Sequence, residues 1–418
     1  MTTTGDTLII ISKQYPFSHK EAYLESEIQV LSQQWQQIYI YPSDHFKTND
    51  NPHYSLPQNV KLIDLNNNLS RISKVDSIFL FLRAWTFELI KHDRPTRWVK
   101  DVKRNFHIFI TQYAIAKTFN NFLGSDQCRG REITLYSYWF SSSALFLAIM
   151  KSEGWIKRFV SRAHSIDLYH EKWGFINEKT KPHPFKNFKF RHVDQIFSIS
   201  EHGLKYLQTQ NINTSKLSVS YLGVTDYGLN PSNAPDEPFT ILTCSGLDKN
   251  KRLELLAKAI KHVDYPIRWI HFGDGPNRQI ILDELHQSMV EIEIKGQTNN
   301  TEIRKYLTSN AVDVFINISK VEGLPVSIME ALSHGIPVIA TGVNGTPEAV
   351  ISDYNGKTLR VDFTIEEILK SIDFIRNHPE KTKLRHQARK HYENHFNAQW
   401  NYRNFSQTLM QFAAKIKD

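Results

Sequence analysis

Short apolar runs recur along the chain, and stretches with apolar residues at helical spacing separate them. Leu8 to Ser12 reads as a buried strand. After Tyr15-Pro16, Glu21 to Leu31 carries apolar residues three and four apart and reads as a helix. Ile38-Tyr39-Ile40-Tyr41 is a second strand, stopped by Pro42. Strand, helix, strand predicts a parallel sheet with crossover helices. The rhythm breaks over residues 71–123, which read as a helical insertion. It resumes with strands at Ile133-Thr134-Leu135-Tyr136, Arg158-Phe159-Val160 and Gln195-Ile196-Phe197-Ser198. Gly228 to Pro238 holds three prolines, two asparagines and two acids with few apolar residues, and reads as a linker. A second alternation follows, with strands at Thr240-Ile241-Leu242-Thr243, Ile267 to Phe272, Val312 to Ile318 and Pro337 to Ala340. The pattern predicts two α/β domains of similar size.

Composition narrows the class. Of 418 residues, 40% are hydrophobic and 22% charged, which provides for buried cores and excludes a disordered chain. The net charge of +8 suits nucleic acid, an anionic membrane face or phosphorylated ligands. No long block of like charge and no nucleic-acid module stands out, so nucleic acid is not an expected partner. Two cysteines, Cys128 and Cys244, make no disulfide scaffold, no Cys/His cluster has zinc spacing, and a reducing cytosol fits. The first residues lack a signal-peptide pattern, and no stretch approaches the roughly 20 apolar residues of a membrane span. The expected location is cytoplasmic, with any membrane met from its inner face.

The insertion adds to this. Residues 71–110 carry nine basic side chains (Arg71, Lys74, Arg83, Lys91, Arg94, Arg97, Lys100, Lys103, Arg104) against four acidic ones (Asp76, Glu88, Asp93, Asp101). Phe79, Phe81, Trp85, Phe87, Trp98, Phe106 and Phe109 lie among or near them. A basic, aromatic, amphipathic segment can lie on an anionic bilayer. The competing reading packs it on the sheet with a solvated basic face.

Val312 to Val350 is the stretch richest in chemistry. A strand ends near Ser319, a loop carries Glu322-Gly323-Leu324-Pro325, and a helix follows from about Val326 to Ser333. Pro325 suits the first helical position, and Gly335 with Pro337 ends the helix. The loop lies at the carboxyl end of a parallel strand, where open α/β sheets bind ligands, and the helix start suits a diphosphate. Glu322 on the loop and Glu330 on the helix can accept hydrogen bonds from two sets of hydroxyls, such as those of a sugar and a ribose. A second loop, Thr341-Gly342-Val343-Asn344-Gly345, leads to Thr346 as N-cap and Pro347 as first helical residue. Phe272-Gly273-Asp274-Gly275-Pro276 after a strand is either an ordinary turn or a close approach to ligand. Lys249-Asn250-Lys251-Arg252 sits where cations can neutralise phosphates, or is a solvated face.

Glu322 to Ala331, Gly335 to Thr341 and Gly345-Thr346-Pro347-Glu348 together resemble the family 4 retaining glycosyltransferases (glycosyl transferases group 1). The resemblance is strong over about residues 240–350 and looser elsewhere. It implies the α/β GT-B architecture, two Rossmann-like parallel-sheet domains facing across a cleft. They would be an acceptor-side domain over 1–225 and a nucleotide-sugar-binding domain over 226–395, with a helix over 396–418 packing back on the first. It implies no metal or other cofactor. Glu322 should contact the donor sugar, Glu330 the ribose, the amides of Gly323 and Leu324 the phosphates or sugar, and Lys251 the diphosphate. Pro325, Gly273 and Gly345 complete the donor set. In the first domain, Ser161-Arg162-Ala163-His164-Ser165-Ile166-Asp167-Leu168 resembles the family's Arg-x-His-x-x-Asp stretch, which places His164 at the donor sugar. Arg162, Asp167, Tyr138 and Trp139 are acceptor-side candidates.

The sequence departs from the family in two places. Gly246 stands where the family often carries an arginine five residues before the lysine, so phosphate binding leans on Lys251 with Arg252 as helper. Ser12 to Glu21 replaces the usual glycine pair after the first strand and resembles a branch of cell-surface polysaccharide transferases. The function expected is therefore retaining, metal-independent transfer of a sugar from a UDP- or GDP-linked donor to a glycan or lipid-linked acceptor in bacterial surface polysaccharide biosynthesis. The alternatives are an epimerase-like nucleotide-sugar enzyme or a non-catalytic binding module on the same fold. No Gly-x-Gly-x-x-Gly follows the first strand, which argues against a nicotinamide dehydrogenase.

Overall fold

The computed structural model describes residues 5–18, 21–44, 52–65, 74–91, 101–169, 184–210, 212–232 and 237–414. Arg71, Asp93, Arg94, Arg97, Trp98 and Lys100 lie outside the described residues, as do the side chains of Lys74, Asp76, Phe87, Glu88 and Lys91. The chain divides into two compact units. The second runs from Tyr221 to Asn401, and the first holds the described residues before it together with those from Tyr402 on.

In the first unit, seven parallel strands order as β3-β2-β1-β4-β5-β6-β7. They are β1 (Gly5–Ser12), β2 (Trp35–Pro42), β3 (Val60–Leu62), β4 (Ile133–Ser137), β5 (Val160–Ala163), β6 (Gln195–Ser198) and β7 (Leu217–Val219). The apolar run of β1 serves both faces of this sheet, because side chains alternate along a strand. Leu8 and Ile10 pack with Leu24, Ile28 and Phe405, whereas Ile9 and Ile11 pack with Phe109, Ala116 and Phe119. A run buried on both faces is what a central parallel strand requires.

Among the described residues, the insertion includes the helices Lys74–Lys91 and Val102–Leu123. Phe81 and Phe109 are buried in the core of the first unit, with ring centroids 5.8 Å apart, so this part of the aromatic segment packs on the sheet. Phe79 on the same helix is 70% exposed, and Ile78, Leu82, Val102 and Phe106 are exposed with it. No helix among the described residues is long and apolar enough to cross a membrane.

In the second unit, six parallel strands order as β10-β9-β8-β11-β12-β13. They are β8 (Phe239–Cys244), β9 (Ile267–Phe272), β10 (Val290–Ile294), β11 (Val314–Asn317), β12 (Val338–Thr341) and β13 (Gly356–Leu359). Ile241, Leu256, Trp269, Ile316 and Ile339 form its core. Each unit is a Rossmann-like parallel sheet flanked by helices.

The C-terminal helix spans Ala398–Ala414, and its residues from Tyr402 on belong to the first unit. Ser406 Oγ accepts a hydrogen bond from Trp35 Nε1 at 2.9 Å, and the Phe405 ring lies 5.1 Å from those of Tyr136 and Phe197.

Beneath this helix lies a fully buried ion pair. Arg162 Nη2 stands 3.4 Å from Glu27 Oε1, which also accepts from the Tyr136 hydroxyl at 3.1 Å. The guanidinium stacks over Phe405 at 4.3 Å. Burial pushes the Glu27 carboxyl up, while Arg162 pulls it back down. The pattern reading placed the strand at Arg158-Phe159-Val160, but β5 starts two residues later. That shift carries Arg162 inside the strand and under the helix, with no exposure to a ligand. Its acceptor-side assignment is therefore corrected to a structural one.

Removing one partner of a buried pair strands the other charge, at a cost of about 3–5 kcal/mol. Arg162→Leu should lose about that much stability in urea unfolding followed by circular dichroism. Arg162→Met combined with Glu27→Leu should recover most of it.

Candidate active site

Each sheet reverses its strand order at one point, between β1 and β4 in the first unit and between β8 and β11 in the second. Loops leaving the carboxyl ends of such a strand pair run in opposite directions and leave a crevice. The chemistry-bearing residues collect on those loops.

In the second unit, the loop after β8 is tied to the loop after β11 through Asn250. Its Nδ2 donates to the Val321 carbonyl at 3.1 Å, its Oδ1 accepts from the Val321 amide at 3.0 Å, and its carbonyl accepts from the Lys320 amide at 2.8 Å. The clamp sets Lys251 against Glu322, with Nζ 2.5 Å from Oε1. The loop after β12 joins them. Asn344 Nδ2 donates to the Glu322 carbonyl at 2.5 Å, and the Gly345 amide donates to the Gly323 carbonyl at 2.9 Å. Asn344 sits at φ +47°, a left-handed conformation that asparagine tolerates.

The helix Val326–Ser333 starts directly behind Glu322. Pro325 takes the N-cap position, one residue earlier than the sequence reading placed it, because its ψ of 122° is still extended. Thr346 departs in the opposite sense: expected as the N-cap, it is the first helical residue of Thr346–Ala349, with Gly345 as the cap. Leu324 is buried beneath the loop. Glu330 is partly buried on the helix Val326–Ser333, and burial pushes its carboxyl up to about 7 against a small opposing pull from Arg304. Cys244 at the end of β8 feels Glu330 and Lys251. Its thiol is pushed up to about 12 by burial and then by Glu330, with Lys251 acting against the shift.

Arg252 has a different role from the one expected. It is buried, with Nε donating to the Ile318 carbonyl at 2.8 Å and Nη1 to the Val361 carbonyl at 2.6 Å. Nη2 reaches Thr341 Oγ1 at 3.1 Å and the Ser319 carbonyl at 3.3 Å. The guanidinium is buried and fastens three strand-end loops together with four of its five N–H donors, which corrects its assignment as a phosphate helper. Gly273 and Gly275 also have packing reasons for being glycine. At Gly273 (φ +130°) a Cβ would stand 1.9 Å from the Ser245 carbonyl oxygen, and at Gly275 it would stand 2.4 Å from that of Leu247. Gly246 has more room, its nearest neighbour being Asp248 Oδ2 at 3.4 Å from a built Cβ.

In the first unit, Glu21 organises the loop after β1. Its carboxylate accepts the amides of Lys13 at 3.2 Å and Tyr15 at 2.7 Å, that of Gln14, and Trp139 Nε1 from the loop after β4. Lys13 Nζ lies 4.5 Å over the Trp139 ring. The Trp139 ring also meets His164, whose centroid is 4.3 Å away. His164 Nε2 pairs with the Tyr138 carbonyl at 3.0 Å, and the His164 and Phe140 amides both donate to Asp167 Oδ2. Burial, then the Arg162 charge, holds the His164 imidazole well below its ordinary range and therefore neutral. Tyr138 is fully buried and packs in the core, so it is not a stacking surface, whereas Trp139 is partly exposed. His164 and Asp167 lie in the first unit, and Lys251, Glu322 and Glu330 in the second.

Residues 229–394 match the family model described as Glycosyl transferases group 1. These residues form a group 1 glycosyl transferase domain. The group 1 domain contains Lys251, Glu322 and Glu330. A protein of Escherichia coli (strain K12) designated a colanic acid biosynthesis glycosyltransferase, WcaL, is 31% identical over 180 residues. That match covers 40% of this chain and 44% of WcaL. The gpi3 component of the phosphatidylinositol N-acetylglucosaminyltransferase of Schizosaccharomyces pombe is 26% identical over 42% of the chain and 40% of its own length. The chain thus matches under half the length of these relatives. Among solved structures, the lipopolysaccharide outer core galactosyltransferase WaaB has a TM-score of 0.66 at 15% identity, over 98% of this chain and 99% of its own. The Anabaena protein HepE, in complex with UDP and glucose, has a TM-score of 0.64 at 14% identity, over 97% and 100%. These likenesses establish the fold as GT-B.

The raised Glu330 carboxyl has a consequence for stability. A carboxyl that binds its proton more tightly when folded favours the folded state at low pH. That advantage is lost as pH rises from about 4.5 toward 7. Glu330→Gln should remove this dependence. It should match the parent below pH 4.5 and exceed it by about 1–3 kcal/mol at pH 8, measured as urea unfolding free energy across pH.

Proposed function

We propose that the chain is a retaining glycosyltransferase that moves a sugar from a nucleoside-diphosphate donor to a glycan or lipid-linked acceptor without a metal ion. The observation that carries this reading is the Lys251–Glu322 pair at the switch point of the group 1 domain, with a helix start behind it and Glu330 on that helix. A diphosphate placed there meets the Lys251 ammonium and the positive end of the helix. It replaces Glu322 as the partner of Lys251, which frees Glu322 for sugar hydroxyls, while Glu330 accepts from the ribose. When the bond between the anomeric carbon and the phosphate oxygen breaks, negative charge grows on the diphosphate. The same two positive groups stabilise that charge where it develops. The acceptor oxygen bonds to the anomeric carbon on the face the diphosphate leaves, and its proton passes to the departing phosphate oxygen, giving retention. His164 is buried and its Nε2 pairs with the Tyr138 carbonyl, which suits hydrogen bonding rather than nucleophilic attack.

The names of WcaL and WaaB favour bacterial surface polysaccharide as the product, and the UDP in HepE favours a uridine donor. The exposed Ile78, Phe79, Leu82, Val102 and Phe106, beside exposed Arg83 and Lys103, favour contact with an anionic membrane face on the cytoplasmic side.

Thermal stabilisation by UDP, GDP and ADP in the presence of EDTA tests the donor site. One base should stabilise the parent, and Lys251→Ala should weaken that binding about 10- to 100-fold, the loss of a charged hydrogen bond. Failure of every nucleoside diphosphate to bind the folded protein would sink the reading. Flotation with anionic vesicles should recover the parent and leave Phe79→Ser combined with Phe106→Ser behind. Equal recovery on neutral vesicles would remove the membrane part alone.

A further inference from the structure

The chain leaving β1 and the chain leaving β2 stay joined past the ends of the strands. The Ser43 amide donates to the Ser12 carbonyl at 3.0 Å, the Ser43 hydroxyl to the same oxygen at 2.9 Å, and the Asp44 amide to the Lys13 carbonyl at 2.8 Å. This sets a lysine beside an aspartate at the carboxyl end of the sheet, where ligands bind, with Lys13 partly exposed and Asp44 exposed. Among the described residues the Lys13 ammonium makes no hydrogen bond and no ion pair, and it rests 4.5 Å over the Trp139 ring. The Asp44 carboxylate receives only the Ser43 hydroxyl, at 3.5 Å. The two side chains still feel each other. Partial withdrawal from water pushes the Asp44 carboxyl up, Lys13 pulls it down, and Glu21 pushes it up again.

Glu21 sets the place of the lysine. Its buried carboxylate accepts both the Lys13 amide and Trp139 Nε1, so one group fixes the backbone that carries the ammonium and the ring on which it rests. The outcome is a pair of opposite charges, close enough to act on each other, that do not join. Ammonium donors stand on one side and carboxylate oxygens on the other, on residues that solvent reaches. Neighbouring hydroxyls of a sugar match that order, because one oxygen can accept from the ammonium while the next hydroxyl donates to the carboxylate. An anion matches it poorly. Lys13 and Lys189 face the carboxylates of Glu21, Asp44 and Asp167, so an acidic group would enter a surplus of negative charge.

We propose that Lys13 and Asp44 determine acceptor specificity by reading two neighbouring hydroxyls of an uncharged sugar, Lys13 donating to one oxygen and Asp44 accepting from the other. Glu21 is their positioning residue, and it acts through the Lys13 amide and the Trp139 indole rather than on the sugar. The indole, engaged by Lys13 and His164, serves as the rest for the ammonium. The assignment to the acceptor rests on the glycosyltransferase reading above, since Lys251, Glu322 and Glu330 belong to the other unit.

The test uses the isotope-labelled full chain and follows the Trp139 indole N–H resonance, identified by its loss in Trp139→Phe. Methyl α-D-glucoside, methyl α-D-galactoside, methyl α-D-mannoside and methyl α-D-glucuronide are titrated with and without the glucose derivative of whichever nucleoside diphosphate binds. At least one neutral glycoside should shift the resonance saturably, and the nucleotide sugar should not displace it. Lys13→Met and Asp44→Asn should each weaken that binding about tenfold or more, the loss of a charged hydrogen bond. Their melting temperatures should stay within about 2 °C of the parent, because neither change leaves a buried partner behind. Glu21→Gln should move the resonance before any sugar is added and weaken the glycoside about tenfold, while nucleoside diphosphate binding persists. No shift with any neutral glycoside, binding unchanged in both Lys13→Met and Asp44→Asn, or tighter binding of the glucuronide would overturn the proposal. Displacement by the nucleotide sugar would do the same, because the sugar read would then be the donor's. Retained nucleoside diphosphate binding with no glycoside binding defeats this subsite alone. Absent nucleoside diphosphate binding defeats the donor reading and the acceptor assignment with it.

Discussion

Parallel strands impose the constraint from which the rest follows. A parallel sheet needs a crossover for every strand, and each crossover returns on one face. When the chain starts a sheet in the middle and builds outward in both directions, the two central strands send their loops apart. Both units are built this way, around β1 and β4 in one and β8 and β11 in the other. The same geometric vacancy is then filled with different chemistry. Lysine and glutamate with a helix start fill it in the group 1 domain, and tryptophan, histidine and a second lysine fill it in the first unit.

Much of the fold is legible in the sequence because central parallel strands are apolar on both faces. The runs at Leu8, Ile38, Ile133, Ile241 and Ile267 stand out for that reason. β3 and β7 have three residues each, too few for any period to declare itself, and β10 at the sheet edge alternates glutamate with apolar residues rather than running apolar. The placement of Glu322 on a strand-end loop and of Glu330 on the helix behind it was legible because a loop and a helix start follow the strand in a fixed order. Arg162 and Arg252 were misread for one shared reason. Charge suggests a ligand until burial is known, and both guanidiniums prove to hold parts of the protein together. Tyr138 failed the same way, since its solvent access is decided by which side of a strand end it leaves.

The residues that sequence reasoning overlooked mostly act through the backbone. Asn250 and Asn344 lace three loops by side-chain bonds to main-chain groups, and Glu21 gathers successive amides of the first loop. The Asn250 contacts join segments 71 positions apart, so no local pattern announces them. Asn344 alone left a trace, in its place between valine and glycine in a turn-prone run, where a left-handed asparagine is at home.

The neighbouring cations Lys251 and Arg252 carry a lesson about drift. One is an arm with a single carboxylate partner, and the other is a rivet through the ends of two strands and the loop beyond a third. To a composition count, or to a map of surface potential, their order is invisible. Transposing them would conserve every charge in the chain and still leave the rivet too short for its holes and the arm too stiff for its task. The fold therefore depends on the spelling of this dipeptide, and not only on its charge.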